Sequence, residues 1–326
     1  MQASATAART VRLPLFAAKI ALSAALIAYA VGKIEVGEAS RQIRSVAAIA
    51  ILAAEGLLFV QSSVAAFRLR QVLGMLGVRC RFVQALDVIF IGAFFSQTFA
   101  SFVGGDAMRI WRLARSNISL SLATKAIALD RTAGLAGSLG LALLTLPFLL
   151  EVVREPVMRN GLVSAIVGVI TAFVLVVLMK YIPAPLRDVK PIQWVSDFAD
   201  ITLSVTRSTK RLASLLALSL IIQLLNVVVI YVLARGLSIG ITFWHTLLLV
   251  PPVLFLSMLP VSVAGWGVRE GAMIAALGLV GVRPAASVAV SLCFGLSLIA
   301  ISLPGAVLWL RHRGGVSRRE HGEANR

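Results

Sequence analysis

Three long runs of the sequence contain no charged residue, and they constrain the fold more than any other feature. The runs are Gly161 to Met179, Leu212 to Ala234 and Pro284 to Leu310. Each reaches the roughly 20 residues that an α-helix needs to cross the apolar core of a bilayer. Only 14% of all residues are charged, whereas a soluble domain has about 25%. The sequence therefore predicts an all-α polytopic membrane protein.

The distribution of basic residues predicts the topology. Lys and Arg produce a net charge of +17, but they fall mainly in short loops between apolar runs, which is typical of cytoplasmic loops and not of a nucleic-acid-binding surface. We read helices at 13–31, 45–67, 82–104, 126–150, 160–180, 212–234, 242–264, 267–281 and 284–310. The charge rule is best obeyed if 82–104 enters and leaves by the same face. This gives about eight crossings plus one re-entrant element, with both termini on the cytoplasmic side of a bacterial inner membrane.

A rival topology makes 242–264 re-entrant as well. It produces a cleaner inverted repeat, but it places the Arg-rich C-terminal tail outside the cell. We prefer the first topology because it keeps the basic loops on one face.

The chain is expected to form one integral membrane domain over residues 1–310. Its two halves cover about 45–180 and 212–310, and the segment 186–211 carries apolar residues at helical spacing, which favours an amphipathic linker helix in the membrane interface. Residues 311–326 are basic and predict a disordered tail drawn to anionic lipids.

Two glycine-containing segments occupy matching places in the two halves. The first runs from Ser96 to Arg109 and the second from Ser257 to Glu270, and both end in an arginine and a carboxylate. Interrupted apolar segments at corresponding positions point to the binding site of a transporter and are consistent with an internal two-fold repeat.

Ionisable residues at membrane depth are costly, so those near the interruptions are the main site candidates. Asp106 and Arg109 are spaced i, i+3 and share a helix face. A sharp turn at the preceding glycines would let Asp106 cap the next helix, which is a purely structural interpretation; in the other, Arg109 holds an anionic lipid head group. The candidate substrate-binding residues are Gly104, Gly105, Asp106, Arg109, Asp130, Arg131, Gly265, Gly267, Arg269 and Glu270.

The partners of these charges are left open by the sequence. Asp130 and Arg131 are adjacent on a helix and point about 100° apart, so both do not face one partner; Arg131 can also extend to the interface. For the others we hypothesise cross-pairs between the halves, Asp106 with Arg269 or Arg109 with Glu270.

Further polar residues in apolar segments either line a cavity or bond between helices. They are Glu55, Gln97, Ser101, Gln223, Asn226 and Ser262. Glu55 is either a proton-coupling carboxylate or a neutral hydrogen-bonded acid. The pair Pro251-Pro252 and Pro260 are expected to kink or break 242–264.

Catalytic and metal-binding signatures are missing from the sequence. It contains no P-loop and no G-x-S-x-G motif. Cys80 and Cys293 lie far apart, and the three His are scattered, so no metal site is indicated. We expect no enzymatic activity and no cofactor.

Three short motifs, in this order, resemble the membrane region of lysylphosphatidylglycerol synthases. They are Gly104-Gly105-Asp106-Ala-Met-Arg109, Asp130-Arg131-Thr-Ala-Gly134 and Pro260 followed by Gly265-Trp-Gly-Val-Arg-Glu-Gly271. The resemblance covers roughly residues 13–310 and extends to stand-alone, flippase-like family members without a synthase domain. One departure is the run from Thr98 to Ser101, where such proteins often carry a proline.

The resemblance implies a lipid translocator whose substrate is an anionic, aminoacylated, isoprenoid or glycolipid molecule. Arg109, Arg131 and Arg269 would contact its phosphate, while Asp106, Asp130 and Glu270 would balance them or bind a cationic head. The alternative is a non-transporting accessory subunit that works with enzymes of hopanoid or glycolipid biosynthesis.

Overall fold

A computed structural model describes residues 46–98, 102–153, 208–258 and 266–323, together with isolated positions at 43 and between 155 and 171. This part of the chain is helical and contains no strand, which confirms the all-α prediction. Its helices are α1 (Ala48–Met75), α2 (Phe82–Thr98), α3 (Phe102–Ala114), α4 (Leu120–Val152), α5 (Thr209–Gly236), α6 (Phe243–Met258), α7 (Val268–Gly278) and α8 (Pro284–Glu323).

Four of these helices are long and apolar enough to cross a membrane. They are α1, α4, α5 and the part of α8 from Pro284 to His312, and α2 and α6 are shorter apolar helices. The class of polytopic membrane protein is therefore confirmed. The predicted helices 13–31 and 160–180 and the linker 186–211 lie wholly or largely outside the described residues.

The observed helices extend beyond several predicted ends. Helix α1 continues past residue 67 to Met75, because the segment Arg68 to Leu73 contains neither Gly nor Pro and its residues favour a helix. Helix α4 begins at Leu120, since the Ser119 hydroxyl caps it by accepting the Leu122 N–H at 3.3 Å. Helix α8 continues to Glu323, where we expected a disordered tail from residue 311.

The first interrupted segment is divided between two helices, and its glycines serve a different purpose from the one predicted. Gly104 and Gly105 lie inside α3, which begins at Phe102, so Asp106 does not cap it and that interpretation is wrong. A Cβ atom at Gly105 would lie 1.8 Å from the Ser96 Oγ and 2.6 Å from the Gly92 carbonyl oxygen. Gly105 is therefore required for the close approach of α3 to α2.

The second interrupted segment keeps its helix through the adjacent prolines. Helix α6 contains both Pro251 and Pro252, so neither of them ends it; Pro260 lies outside the described residues. Proline has no backbone N–H, so it leaves a carbonyl one turn earlier without its partner. Membrane helices tolerate this where neighbouring groups bond to that carbonyl. The next helix, α7, starts after Gly267, whose φ of +86° is a conformation that glycine adopts readily.

The chain forms two compact units. Unit 1 contains Met1–Phe59, Ile91–Gly105 and Asn226–Arg326, and unit 2 contains Val60–Phe90 and Asp106–Leu225. In unit 1, α7 packs against α6 and α8. In unit 2, a buried apolar core joins α1, α2, α3, α4 and α5 through side chains that include Leu69, Val88, Leu113, Ile127 and Leu215.

Candidate functional site

Five charged side chains come together in unit 2. Arg68 extends from α1, Asp106 and Arg109 from α3, and Asp130 and Arg131 from α4. We call these residues the five-charge cluster. Its three guanidinium groups and two carboxylates leave an excess of one positive charge.

The inner part of the cluster is the pair formed by Arg68 and Asp130. The Arg68 Nε lies 2.8 Å from the Asp130 Oδ1, and the two side chains are only 9% and 2% exposed. Arg68 Nη1 also donates to the Ser219 hydroxyl of α5 at 3.0 Å. Gly134 lies beside the guanidinium group, and a Cβ atom there would be in ordinary van der Waals contact with the Arg68 Nη1 at 3.4 Å. This pair has both charge balance and hydrogen bonds.

The outer part of the cluster is the pair formed by Arg131 and Asp106. The Arg131 Nε donates to the Asp106 Oδ2 at 2.6 Å, and the side chains are 32% and 23% exposed. Asp130 and Arg131 thus take different partners, as their angular separation on α4 predicts. The outer pair provides the more accessible side of the cluster.

Arg109 lies between the two pairs and is bonded to neither. Its Nη1 is 3.6 Å from the Asp106 Oδ1 and 3.9 Å from the Asp130 Oδ2, and both distances exceed those of a hydrogen bond. The Arg109 Nε and the Asp106 Oδ1 are buried without a hydrogen-bond partner. A guanidinium group has five N–H donors, so the Arg109 side chain can bind an anion without losing an existing hydrogen bond.

A second charged cluster lies in unit 1, at the start of α7, and consists of Arg269, Glu270 and Ser291. The Arg269 Nη2 donates to the Glu270 Oε1 at 2.9 Å. The Ser291 hydroxyl of α8 accepts from the Arg269 Nε at 3.0 Å and donates to the same carboxylate oxygen at 2.9 Å. The other oxygen, Glu270 Oε2, accepts the Gly267 N–H at 2.5 Å. We call this group the α7 cluster.

Packing holds the α7 cluster closed. The Arg269 guanidinium lies 4.8 Å from the centre of the Trp266 ring and 5.7 Å from that of Phe294, where an aromatic face attracts a cation. Gly295 provides the space, because a Cβ atom there would lie 2.4 Å from the Arg269 Nη2. The Arg269 and Glu270 side chains are 5% and 4% exposed, and their charges cancel.

Each of these charged side chains has an ion-pair partner within its own unit, and the cross-pairs between the halves stay a prediction. Asp106 contacts Arg131 and Arg109, and Glu270 contacts Arg269. Glu270 bonds its own helix start because an acid at the third position of a helix reaches back to the first N–H groups. Arg269 and Glu270 therefore have the geometry of a helix start with an acid in its first turn.

The other predicted polar residues are spread over both units. Gln223 of α5 donates to the Ser138 hydroxyl of α4, which is the interhelical role that we considered. Glu55 of α1 interacts with the Ser297 hydroxyl of α8. Gln97 and Asn226 are half-buried on α2 and α5, and Gly104 is half-buried on α3. Ser101, Ser262 and Gly265 lie outside the described residues.

Sequence reasoning missed Arg68, Ser219 and Ser291. Arg68 was assigned to a cytoplasmic loop, yet it lies in α1 and is buried. The buried apolar positions of α1 continue past residue 67 at Leu69 and Val72, so helical periodicity was a usable signal. Ser219 and Ser291 are small residues in apolar helices, and nothing in the sequence distinguishes them from the other small residues there.

Long apolar helices with buried arginine–carboxylate pairs beside their interruptions define a polytopic α-helical membrane protein. The family model described as the lysylphosphatidylglycerol synthase TM region matches residues 16–305. The chain therefore belongs to this family, as its three motifs predicted. A search among curated proteins finds no match.

Proposed function

We propose that the protein translocates a lipid across a bacterial inner membrane and that the five-charge cluster binds the phosphate of the lipid head group. The observation that supports this most directly is Arg109, a largely buried guanidinium that forms no hydrogen bond among the described residues. Membership of the lysylphosphatidylglycerol synthase TM family adds support. The candidate substrates are anionic, aminoacylated, isoprenoid and glycolipid molecules that carry a phosphate.

The charges of the cluster suit a phosphodiester. Arginine is the side chain of choice for phosphate recognition because its planar fork donates two parallel hydrogen bonds. One excess positive charge balances the single negative charge of a phosphodiester, and Asp106 and Asp130 hold the flanking guanidinium groups in place. A bound phosphate would thus stabilise a cation that is costly at membrane depth.

The partially exposed outer pair provides the access that this role requires. About a third of the Arg131 side chain is exposed, so a head group can reach the cluster without breaking the ion pair between Arg68 and Asp130. We expect binding and movement rather than enzymatic catalysis, with membrane lipids as partners, cytoplasmic termini and no nucleic-acid binding. Enzymes of lipid biosynthesis are further candidate partners.

Reconstituted vesicles test the proposal. The purified protein is incorporated with fluorescent phosphatidylglycerol, lysyl-phosphatidylglycerol or polyprenyl phosphate, and the lipid that becomes accessible to a membrane-impermeant quencher is followed over time. Arg109→Gln should slow translocation about 10- to 100-fold, since a hydrogen bond to a charged group contributes about 1.5–3 kcal/mol. Arg115→Gln is the matched control because Arg115 is exposed and stacks on Trp111, outside the cluster.

Two results would contradict the proposal. If Arg109→Gln translocates as fast as the wild type, the cluster is not the phosphate site. If the wild-type protein moves none of the three lipids, the accessory-subunit function becomes the better account.

A further inference from the structure

A second basic region of unit 2 surrounds the loop between α1 and α2. A cavity of about 340 Å³ lies between this loop and the loop before α4, and its walls include Arg79, Cys80, Gln84, Ser116 and Asn117. A more open groove of about 600 Å³ shares the first three of these residues and adds Arg70, Arg81 and Phe82. We call the cavity and the groove together the loop pocket. Its size is that of ordinary small-molecule sites.

The loop pocket is strongly positive. Arg70, Arg79 and Arg81 line it, and no Asp or Glu among the described residues does. Within the ranges that the structure describes, none of these three guanidinium groups forms an ion pair or a side-chain hydrogen bond. The nearby acid on α2, Asp87, is 3.6 Å from the Arg112 Nη2. Uncompensated cations around a concave surface focus a positive potential and attract anions.

The loop that carries Arg79 and Arg81 is held by its own hydrogen bonds. The Arg81 N–H donates to the Gln84 Oε1 at 3.0 Å, and the Val78 N–H closes the end of α1 by donating to the Leu73 carbonyl at 2.9 Å. Gly77 adopts a φ of +79° at this turn, which suits glycine. The loop is thus ordered by its own hydrogen bonds, which lowers the cost of binding a ligand there.

The surroundings of the pocket favour a lipid over a soluble anion. Phe82 and Val83, at the start of α2, are exposed, and Phe82 lines the groove beside the arginines. The cavity wall also includes the apolar side chains of Val88, Leu113 and Leu122. Basic pockets between membrane helices on the cytoplasmic side are suited to anionic head groups, whose acyl chains need an apolar neighbour.

We propose that the loop pocket is a second anionic-lipid site, separate from the five-charge cluster, in which Arg70, Arg79 and Arg81 bind the head-group phosphate. The lipid held there is a resident of the cytoplasmic leaflet, and its binding does not require translocation.

The two cysteines of the chain allow a direct test. Cys80 is half-buried and lines the pocket, whereas Cys293 is buried in α8. In a Cys293→Ala background, the alkylation rate of Cys80 by a maleimide is compared in nanodiscs of phosphatidylcholine with and without phosphatidylglycerol. Burial already raises the pKa of the Cys80 thiol, against the opposing effect of Arg112 and Arg70. A bound phosphate would raise this pKa further and shield the sulfur, and both effects slow alkylation.

Phosphatidylglycerol should slow the labelling of Cys80 about tenfold, which corresponds to one pKa unit for a thiol titrating above the working pH. The double variant Arg79→Gln/Arg81→Gln should lose this protection, and it should fold normally because both side chains are exposed and unpaired among the described residues. Arg115→Gln, which removes an exposed charge outside the pocket, should keep it and controls for the surface charge of the nanodisc.

The proposal would be overturned if the labelling rate of Cys80 did not depend on the lipid, or if the protection persisted in the double variant. Equal protection by inorganic phosphate in phosphatidylcholine nanodiscs would also overturn it, because the site would then bind a soluble anion. Arg109→Gln should leave the protection intact. This result separates the loop pocket from the proposed translocation site.

Discussion

The five-charge cluster of unit 2 and the α7 cluster of unit 1 start from similar sequence motifs and end as different structures. Each contains arginine and carboxylate side chains beside an interrupted apolar segment. In the α7 cluster the charges cancel, and Arg269 and Glu270 are bonded to each other, to Ser291 and to the start of α7. In the five-charge cluster one positive charge is in excess, and Arg109 lies beyond hydrogen-bond distance of both carboxylates.

The position of each charge along its helix decides which partners it can reach. Glu270 follows Arg269 directly and occupies the first turn of α7, where it can bond both the guanidinium and the Gly267 N–H. Asp106 and Arg109 lie inside α3, and Asp106 is taken by Arg131 of a neighbouring helix. The first arrangement stabilises a helix start, whereas the second leaves Arg109 without a hydrogen bond among the described residues.

The largest effect is expected at Glu270. Glu270→Ala removes the carboxylate partner of the buried Arg269 and should lower the free energy of unfolding by about 3–5 kcal/mol. Thermal unfolding of the detergent-solubilised protein measures the change.

Asp106→Ala should lower the free energy of unfolding less, by about 1–3 kcal/mol, because its partner Arg131 remains partly exposed.

A double variant checks this interpretation of the α7 cluster. Arg269→Met/Glu270→Leu removes both charges together and should recover most of the lost stability, since buried ion pairs are often replaceable by apolar residues of similar volume. Equal losses in the Glu270 and Asp106 variants would break the comparison between the clusters.

A smaller loss is expected from Gly137→Ala on α4. A Cβ atom at Gly137 would lie 2.4 Å from the Ser219 Cβ and 2.9 Å from its backbone carbon, so α4 and α5 must separate and the hydrogen bond between Arg68 and Ser219 is disturbed. Overpacking of this kind costs about 1–3 kcal/mol, which a shift in unfolding temperature reports. Gly140→Ala is the control, because its Cβ atom would lie 3.9 Å from the nearest atom. A Gly137→Ala protein as stable as this control would contradict the predicted helix contact.

The smallest effect on stability is expected at Arg109. Arg109→Gln removes no hydrogen bond of the described structure, and its two carboxylate contacts are long, at 3.6 and 3.9 Å, so the free energy of unfolding should change by less than about 1 kcal/mol. The same thermal unfolding assay measures it, alongside the large translocation defect expected of this variant. If the variant loses as much stability as Glu270→Ala, Arg109 is a structural residue and the two clusters are equivalent.

Most of the fold in the described residues followed from hydropathy. The predicted helices at 212–234 and 267–281 agree closely with α5 and α7, because long apolar runs and a glycine before a charged turn are local signals. The C-terminal end of α1 was harder to predict. A basic residue such as Arg68 indicates a loop in a membrane protein, but here it lies within the helix.

The candidate site was predicted in part. Asp106, Arg109, Asp130 and Arg131 were identified from their charge in apolar surroundings and do lie together. Their pairing was not predictable, because it depends on which helix faces are in contact. Arg68 and Ser219, separated by 151 positions, meet only through the packing of α1 and α5 in unit 2.

Hydropathy and short motifs are local properties of the chain, so they are enough to identify a helical membrane protein of the lysylphosphatidylglycerol synthase TM family and four of the five charges in the five-charge cluster. Which arginine and carboxylate neutralise each other, and which arginine forms no hydrogen bond, depends on how the helices pack. That outcome depends on distances of a few ångströms between helices, since a hydrogen bond at 2.8 Å and a gap at 3.9 Å arise from the same kinds of residue.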